Sequence, residues 1–120
     1  RVSQDLENPS GQIIALNCIG ELYRRDKQYD RAISCLRRSL LMARKTKELV
    51  SVGIASGNLG SVYGRVGNYP QALTYHQEAL RVTQSISDRP GILLARVNLT
   101  LTYLALRLSR TWQMLTQGRS

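Results

Sequence analysis

The sequence predicts an all-α fold, an array of antiparallel helical hairpins. Three observations predict it. The chain matches itself at a shift of forty residues, apolar residues recur at three- and four-residue spacing between short polar breaks, and no stretch alternates apolar with polar as a half-buried strand would.

The self-match is specific. Laying residues 13–52 over 53–92 pairs Ile14 with Ile54, Ala15 with Ala55, Gly20 with Gly60, Tyr23 with Tyr63, Arg25 with Arg65, Tyr29 with Tyr69, Ala32 with Ala72 and Leu40 with Leu80. A second shift places Ala95, Asn98, Leu99 and Tyr103 on Ala55, Asn58, Leu59 and Tyr63. The same phase accounts for RVSQDLENPSG at 1–11 being echoed by RVTQSISDRPG at 81–91. The chain therefore divides into the tail of a preceding repeat (1–10), a first repeat (11–50), a second (51–90) and a partial, degenerate third (91–120). A start at Arg1 rather than Met points to a fragment of a longer array.

Each element follows in order. Ala15, Ile19 and Leu22 line one face of a helix over 11–25, which the polar Asp26-Lys27-Gln28 ends. Ala32, Leu36, Leu40 and Ala43 define a helix over 29–46. Ala55, Leu59, Val62 and Val66 define the next, over 51–66, stopped by Gly67-Asn68. Pro70 suits the first turn of a helix over 70–86, where its missing N–H is no loss, and Ala72, His76, Ala79 and Val82 form its apolar stripe. Asp88 as a cap and Pro90 start the last helix, over 91–108. Gly20 and Gly60 fall mid-helix, where each costs about 1 kcal/mol against alanine. Their place predicts a close helix–helix approach against Ala32 and Ala72, with Tyr29 and Tyr69 wedged between repeats.

Composition narrows the function. With 42% hydrophobic and 21% charged residues the chain is globular, and without Phe its core must be mostly Leu, Ile, Val and Ala. No apolar run approaches the roughly 20 residues of a membrane span, so no membrane is expected, and no signal peptide opens the chain. Cys18 and Cys35 have neither CxxC spacing nor a nearby histidine, so they read as reduced residues of a cytoplasmic protein. Asn98-Leu99-Thr100 matches a glycosylation acceptor inside an apolar helical run and reads as chance. His76 is the only histidine and falls on an apolar stripe. It has no nucleophile at a useful spacing, and there is no carboxylate cluster or phosphate-cradling loop. No enzyme, cofactor or metal is expected. The net charge of +9 points to an acidic partner or to nucleic acid. The basic run Arg31, Arg37, Arg38, Arg44, Lys45 and Lys47 reads first as a solvated helix face, since it lacks the exposed aromatics of a single-strand binder.

NLGSVYGRVGNYPQALTYHQEAL, from Asn58 to Leu80, resembles a tetratricopeptide repeat. The family pattern of Leu-Gly, Tyr, Gly, Tyr, Ala and Ala falls on Leu59, Gly60, Tyr63, Gly67, Tyr69, Ala72 and Ala79. The first repeat carries Ile19, Gly20, Tyr23, Tyr29 and Ala32, with Ser39 in the last alanine slot. The third fades after Tyr103, with Trp112 in the slot of Ala32 and Ala72. The common repeat has 34 residues. Forty resembles the subclass found in kinesin light chains, polarity adaptors and the sensor arrays of bacterial regulators. The resemblance implies a right-handed α-solenoid with a concave groove built from the first helix of each hairpin, and a non-catalytic protein-binding scaffold.

Carried onto this chain, the groove positions implied to bind a protein or peptide are Asn17, Glu21, Arg24 and Arg25, then Asn58, Ser61 and Arg65, then Asn98 and Leu101. Asn58 and Asn98 can donate to and accept from a peptide backbone. Arg24, Arg25 and Arg65 favour an acidic ligand, because the guanidinium fork matches a carboxylate. Asn17 and Glu21 stand where chaperone-tail binders need a lysine and asparagine clamp, so that ligand is not implied. Leu94, Val97, Leu101 and Leu104 form an apolar face that predicts burial by a further helix or by self-association. Two alternatives stand beside the scaffold reading: a basic segment contacting nucleic acid, and a sensor or oligomerisation part of a larger regulator.

Overall fold

The structure, a computed structural model, describes residues 8–118. Five α-helices account for its secondary structure: α1 (Pro9–Arg25), α2 (Tyr29–Lys45), α3 (Leu49–Arg65), α4 (Tyr69–Ser85) and α5 (Arg89–Gln117). They pack as a helical solenoid of antiparallel hairpins. The radius of gyration of 16.2 Å exceeds the roughly 14 Å of a compact chain this long, and the longest extent is 62 Å.

The turns repeat at half the sequence period. Lys27, Lys47, Gly67 and Ser87 each adopt a left-handed backbone, at φ 58°, 57°, 82° and 55°. One bond pattern closes every turn. The N–H of Gln28, Glu48, Asn68 and Asp88 donates to the carbonyl of Tyr23, Ala43, Tyr63 and Thr83, at 2.8, 3.0, 2.9 and 2.9 Å. This is a Schellman cap, and it satisfies carbonyls that a helix end leaves orphaned. Only Gly67 occupies its left-handed slot without a Cβ penalty; the other three rely on the cap and on packing.

Helix starts fall two residues earlier than periodicity places them at α1, α3 and α5, because the N-caps Asn8, Glu48 and Asp88 lie upstream of the first buried residue; Glu48 makes no side-chain cap bond among the described residues, while Asn68 caps α4. Asn8 Oδ1 accepts from Ser10 N (3.0 Å), Asn68 Oδ1 from Gln71 N (3.4 Å) and Asp88 Oδ1 from Gly91 N (3.2 Å). The echoed phrases at 1–11 and 81–91 thus both end in a helix cap. Asn8 caps α1 and Pro9 and Ser10 open it; residues 1–7 of the proposed tail lie outside the described residues.

The core is aliphatic. Ile13, Leu36, Leu59 and Val62 are fully buried, together with Ala32, Ala43, Ala55 and Ala72. The predicted stripes of α2 and α4 are buried throughout. On α1 the stripe differs: Ile19 and Leu22 are exposed and Ile13 is the buried apolar residue, since no described helix packs on the outer side of α1. Val66, at the α3 cap, is likewise exposed. Tyr63 stacks on Tyr75 with centroids 5.5 Å apart.

The two mid-helix glycines do mark close approaches; a Cβ on Gly20 would meet the Ala32 carbonyl oxygen at 3.6 Å, but the tightest contacts are with larger side chains. A Cβ on Gly20 would lie 2.8 Å from Leu36 Cγ, and one on Gly60 would lie 2.6 Å from the His76 ring. Leu36 and His76 occupy the same slot in successive repeats.

The largest departure is α5, which runs to Gln117 instead of ending near 108. The slots that turn the earlier chains are changed here. Arg107 and Leu108 stand where Gly67 and the cap Asn68 stand forty residues earlier, and Arg110 replaces Pro70. Thr100 replaces Gly60 and Trp112 replaces Ala72, so a returning helix could not come as close as in the earlier hairpins. With no stop signal and no room for the return, the helix continues.

Candidate functional site

The first helices of the three repeats, α1, α3 and α5, face a common cleft of about 610 Å³. Seven of the nine residues expected to bind line it: Glu21 and Arg24 from α1, Asn58, Ser61 and Arg65 from α3, and Asn98 and Leu101 from α5. Asn17 does not. Its Oδ1 accepts from Ser39 Oγ (2.8 Å), so it serves the α1–α2 contact. Ser39, standing in an alanine slot of the family pattern, was the signal for that bond. Arg25 is also outside the lining, at the exposed end of α1.

The charges are not equal. Arg24 forks onto Glu21, with Nε to Oε2 at 3.0 Å and Nη2 to Oε1 at 2.5 Å, and Arg25 Nε approaches the same carboxylate at 3.6 Å. The Arg24 hydrogen bond, with smaller help from the two arginine charges, outweighs partial burial and holds the Glu21 carboxyl below its ordinary value. Glu21 thus offsets Arg24 within the groove. Arg65 is exposed and forms no ion pair among the described residues, so it presents the uncompensated charge of the cleft.

A second hollow of about 350 Å³ adjoins the cleft between α3, α4 and α5. Asn58, Ser61, His76 and Asn98 border both, so the two asparagines stand on the ridge between a charged half and an apolar half. Val82 and Ile86 line the hollow from the second helix and its turn, outside the positions that first-helix reasoning selects. Gly57 and Gly64 help make the space, because a Cβ at either would meet nothing within 4 Å. Their three-and-four spacing was visible, but not that Gly60 between them packs while they leave room.

His76 is 3% exposed, and its Nδ1 has no hydrogen-bond partner among the described residues. Burial pushes its pKa below the ordinary value, so the imidazole is neutral in the fold. Because the folded pKa is depressed, the unfolded chain protonates first as pH falls. Stability is whole above the ordinary histidine range and declines as pH drops through it. A melting temperature that falls from pH 7.5 to 5 is expected, in a window above that of Glu21. In His76→Leu, which copies the slot of Leu36, this slope should vanish. The variant should also gain about 1–2 kcal/mol at pH 7 by removing a buried unsatisfied nitrogen. An unchanged slope in that variant would exclude His76 as its source.

On the opposite surface Arg44 forks onto Glu78, Nη2 to Oε1 at 2.5 Å, and ties α2 to α4. Arg31 lies over the Tyr23 ring, 5.8 Å from its centroid. Two members of the basic run therefore have partners within the fold.

A stack of antiparallel hairpins whose first helices face one cleft defines a helical-repeat scaffold. The chain belongs to the tetratricopeptide repeat family: one family model matches residues 51–110 and a second matches 15–49, both described as tetratricopeptide repeat. Proteins built from these repeats are, in general, non-catalytic scaffolds for protein–protein interaction. The TPR domain of FLU from Arabidopsis is similar in fold, with a TM-score of 0.78 and 20% identity over 92% of this chain and 99% of that one. No curated protein matches the sequence.

Proposed function

We propose that the chain binds an extended, acidic peptide segment of a partner protein in the concave cleft. The observation that carries this reading is the convergence of Asn58, Ser61, Arg65, Asn98 and Leu101 on one cleft where Arg65 has no ion-pair partner. Asn58 and Asn98 satisfy the peptide backbone, each with a donor and an acceptor. Arg65 takes a ligand carboxylate, and the adjoining apolar hollow receives a side chain. Free Cys18 and Cys35 lead us to assign a reducing compartment, the cytoplasm.

The test is an array of extended ten-residue peptides of varied charge, followed by anisotropy titration of the best binders. Acidic peptides should bind best. Arg65→Glu combined with Asn58→Ala should weaken them by roughly 10-fold or more, equivalent to about 1.4 kcal/mol. Both positions face the cleft, so the circular dichroism should not change. Peptide affinity indifferent to the double change, or tight binding confined to a single-stranded oligonucleotide, would sink this reading.

A further inference from the structure

One face of α5 runs from the edge of the cleft along the whole helix and is apolar where the cleft is charged. Leu94, Val97, Leu101, Leu104, Leu108 and Leu115 recur at alternating steps of three and four, with Thr111 in the remaining slot. All lie on one helix. The six apolar residues each keep between 45% and 71% of their surface exposed. Steps of three and four sustained over three heptads make a seam that receives the side chains of another helix. It is about 30 Å long at 1.5 Å per residue. Ala95 and Thr102 are the buried residues of α5; of the seam, Leu94 borders the apolar hollow and Leu101 the cleft, while Val97, Leu104, Leu108 and Leu115 line neither.

The preceding repeat shows that this face is altered for a different occupant. Gly57, Ser61 and Gly64 of α3 become Val97, Leu101 and Leu104 in α5, so the narrow approach of one first helix to the next is replaced by bulky knobs. Thr100 and Trp112 likewise remove the small pair that seats a second helix of the repeat type. The charge then selects among helices. α5 carries Arg89, Arg96, Arg107 and Arg110 and no Asp or Glu. Arg107 borders the seam beside a shallow hollow of about 300 Å³, lined also by Leu99, Thr100, Tyr103 and Leu104. An apolar knob seated there would bring its neighbouring residue to the guanidinium. A second copy of this chain, with net charge +9, offers no carboxylate on that helix to meet it.

We propose that the outer seam of α5 docks an amphipathic helix of a partner protein, one whose leucine-type stripe is bordered by Asp or Glu. The stripe supplies affinity, and the acidic border sets orientation and selectivity. The seam meets the cleft at Leu101 and the apolar hollow at Leu94, so the test uses Leu104, Leu108 and Arg107, which line neither.

The experiment titrates dye-labelled synthetic peptides of about three heptads into the protein and reads anisotropy. All share one apolar stripe; the flanks are Glu in one, Lys in another, and a third has the stripe scrambled. The Glu-flanked peptide should bind at least 10-fold tighter than the Lys-flanked one and the scrambled one should not bind. Arg107→Glu should erase or reverse that preference. Leu104→Asp and Leu108→Asp, at exposed positions, should abolish binding without changing the helical circular dichroism. Equal affinity for Glu and Lys flanks would overturn the proposal. So would light scattering that shows a dimer dispersed by Leu108→Asp with no peptide bound, which would give the seam to a second copy. α5 is also long and apolar enough to cross a bilayer by length and composition, with a mean hydropathy of 1.3 over an 18-residue window. Binding to phosphatidylglycerol vesicles but to none of the peptides would therefore overturn the proposal as well.

Discussion

Leu59→Ala is expected to destabilise the array by about 2–5 kcal/mol, the range for emptying a fully buried leucine site. Leu59 is 0% exposed and sits mid-way along α3, which packs against each of the other four helices. Two terms add. The lost side chain forfeits its transfer energy, and a cavity remains because helices held by four neighbours relax only partly. In a solenoid, stability is a sum of repeat and interface terms, and α3 contributes to both hairpins and to the seam between them. Against a total of roughly 5–15 kcal/mol, the loss is a large fraction. It should appear as a lower denaturant midpoint with an unchanged slope. The exposed Leu108→Ala should shift the midpoint little. A loss below about 1 kcal/mol at Leu59 would mean that the hairpins do not share one core.

Gly60→Ala is expected to destabilise by up to about 2 kcal/mol even though alanine is the better helix former. Alanine gains about 1 kcal/mol from helix propensity. The new Cβ, however, would meet three atoms of the His76 ring at 2.6–2.7 Å. That ring is buried, so either it is pushed from its packed position toward the bordering hollows or α3 and α4 separate, and overpacking of this kind costs about 1–3 kcal/mol. Gly57→Ala is the internal control. It is on the same helix with nothing within 4 Å, so propensity acts alone and the variant should gain up to about 1 kcal/mol. The opposite signs are the prediction. Combining Gly60→Ala with His76→Ala should cost less than the sum of the two single changes, since the smaller side chain makes room for the Cβ. Additive losses would show that the glycine is not there for the ring.

These expectations show where sequence reasoning reaches and where it stops. The places of Gly20 and Gly60 against the second helix follow from the repeat alone, but the tightest partners are Leu36 and His76, with Ala32 meeting Gly20 only through its carbonyl. Sequence spacing gives a helix face, while the residue that fills the gap depends on the crossing of two helices. The groove shows the same division. That the first helices would supply it was legible from the family pattern, and seven of nine chosen residues line one cleft. That Asn17 would turn to Ser39, and Arg24 to Glu21, was not legible. Those side chains choose among partners by distances of a few ångströms that periodicity does not contain.

The sequence by itself determined the helical class, the repeat, the breaks at Asp26-Lys27-Gln28 and Gly67-Asn68, and the aliphatic core. All of these rest on local signals: a 3.6-residue period, prolines in first turns, and polar or glycine residues where a helix must stop. Only the tertiary structure decided that Arg65 is the uncompensated charge of the cleft, that His76 is buried without a partner among the described residues, and that α5 continues unbroken with one side bare. Those outcomes depend on which groups meet across helices. The last also depends on bulk at Thr100 and Trp112, which matters only against the spacing of a neighbouring helix.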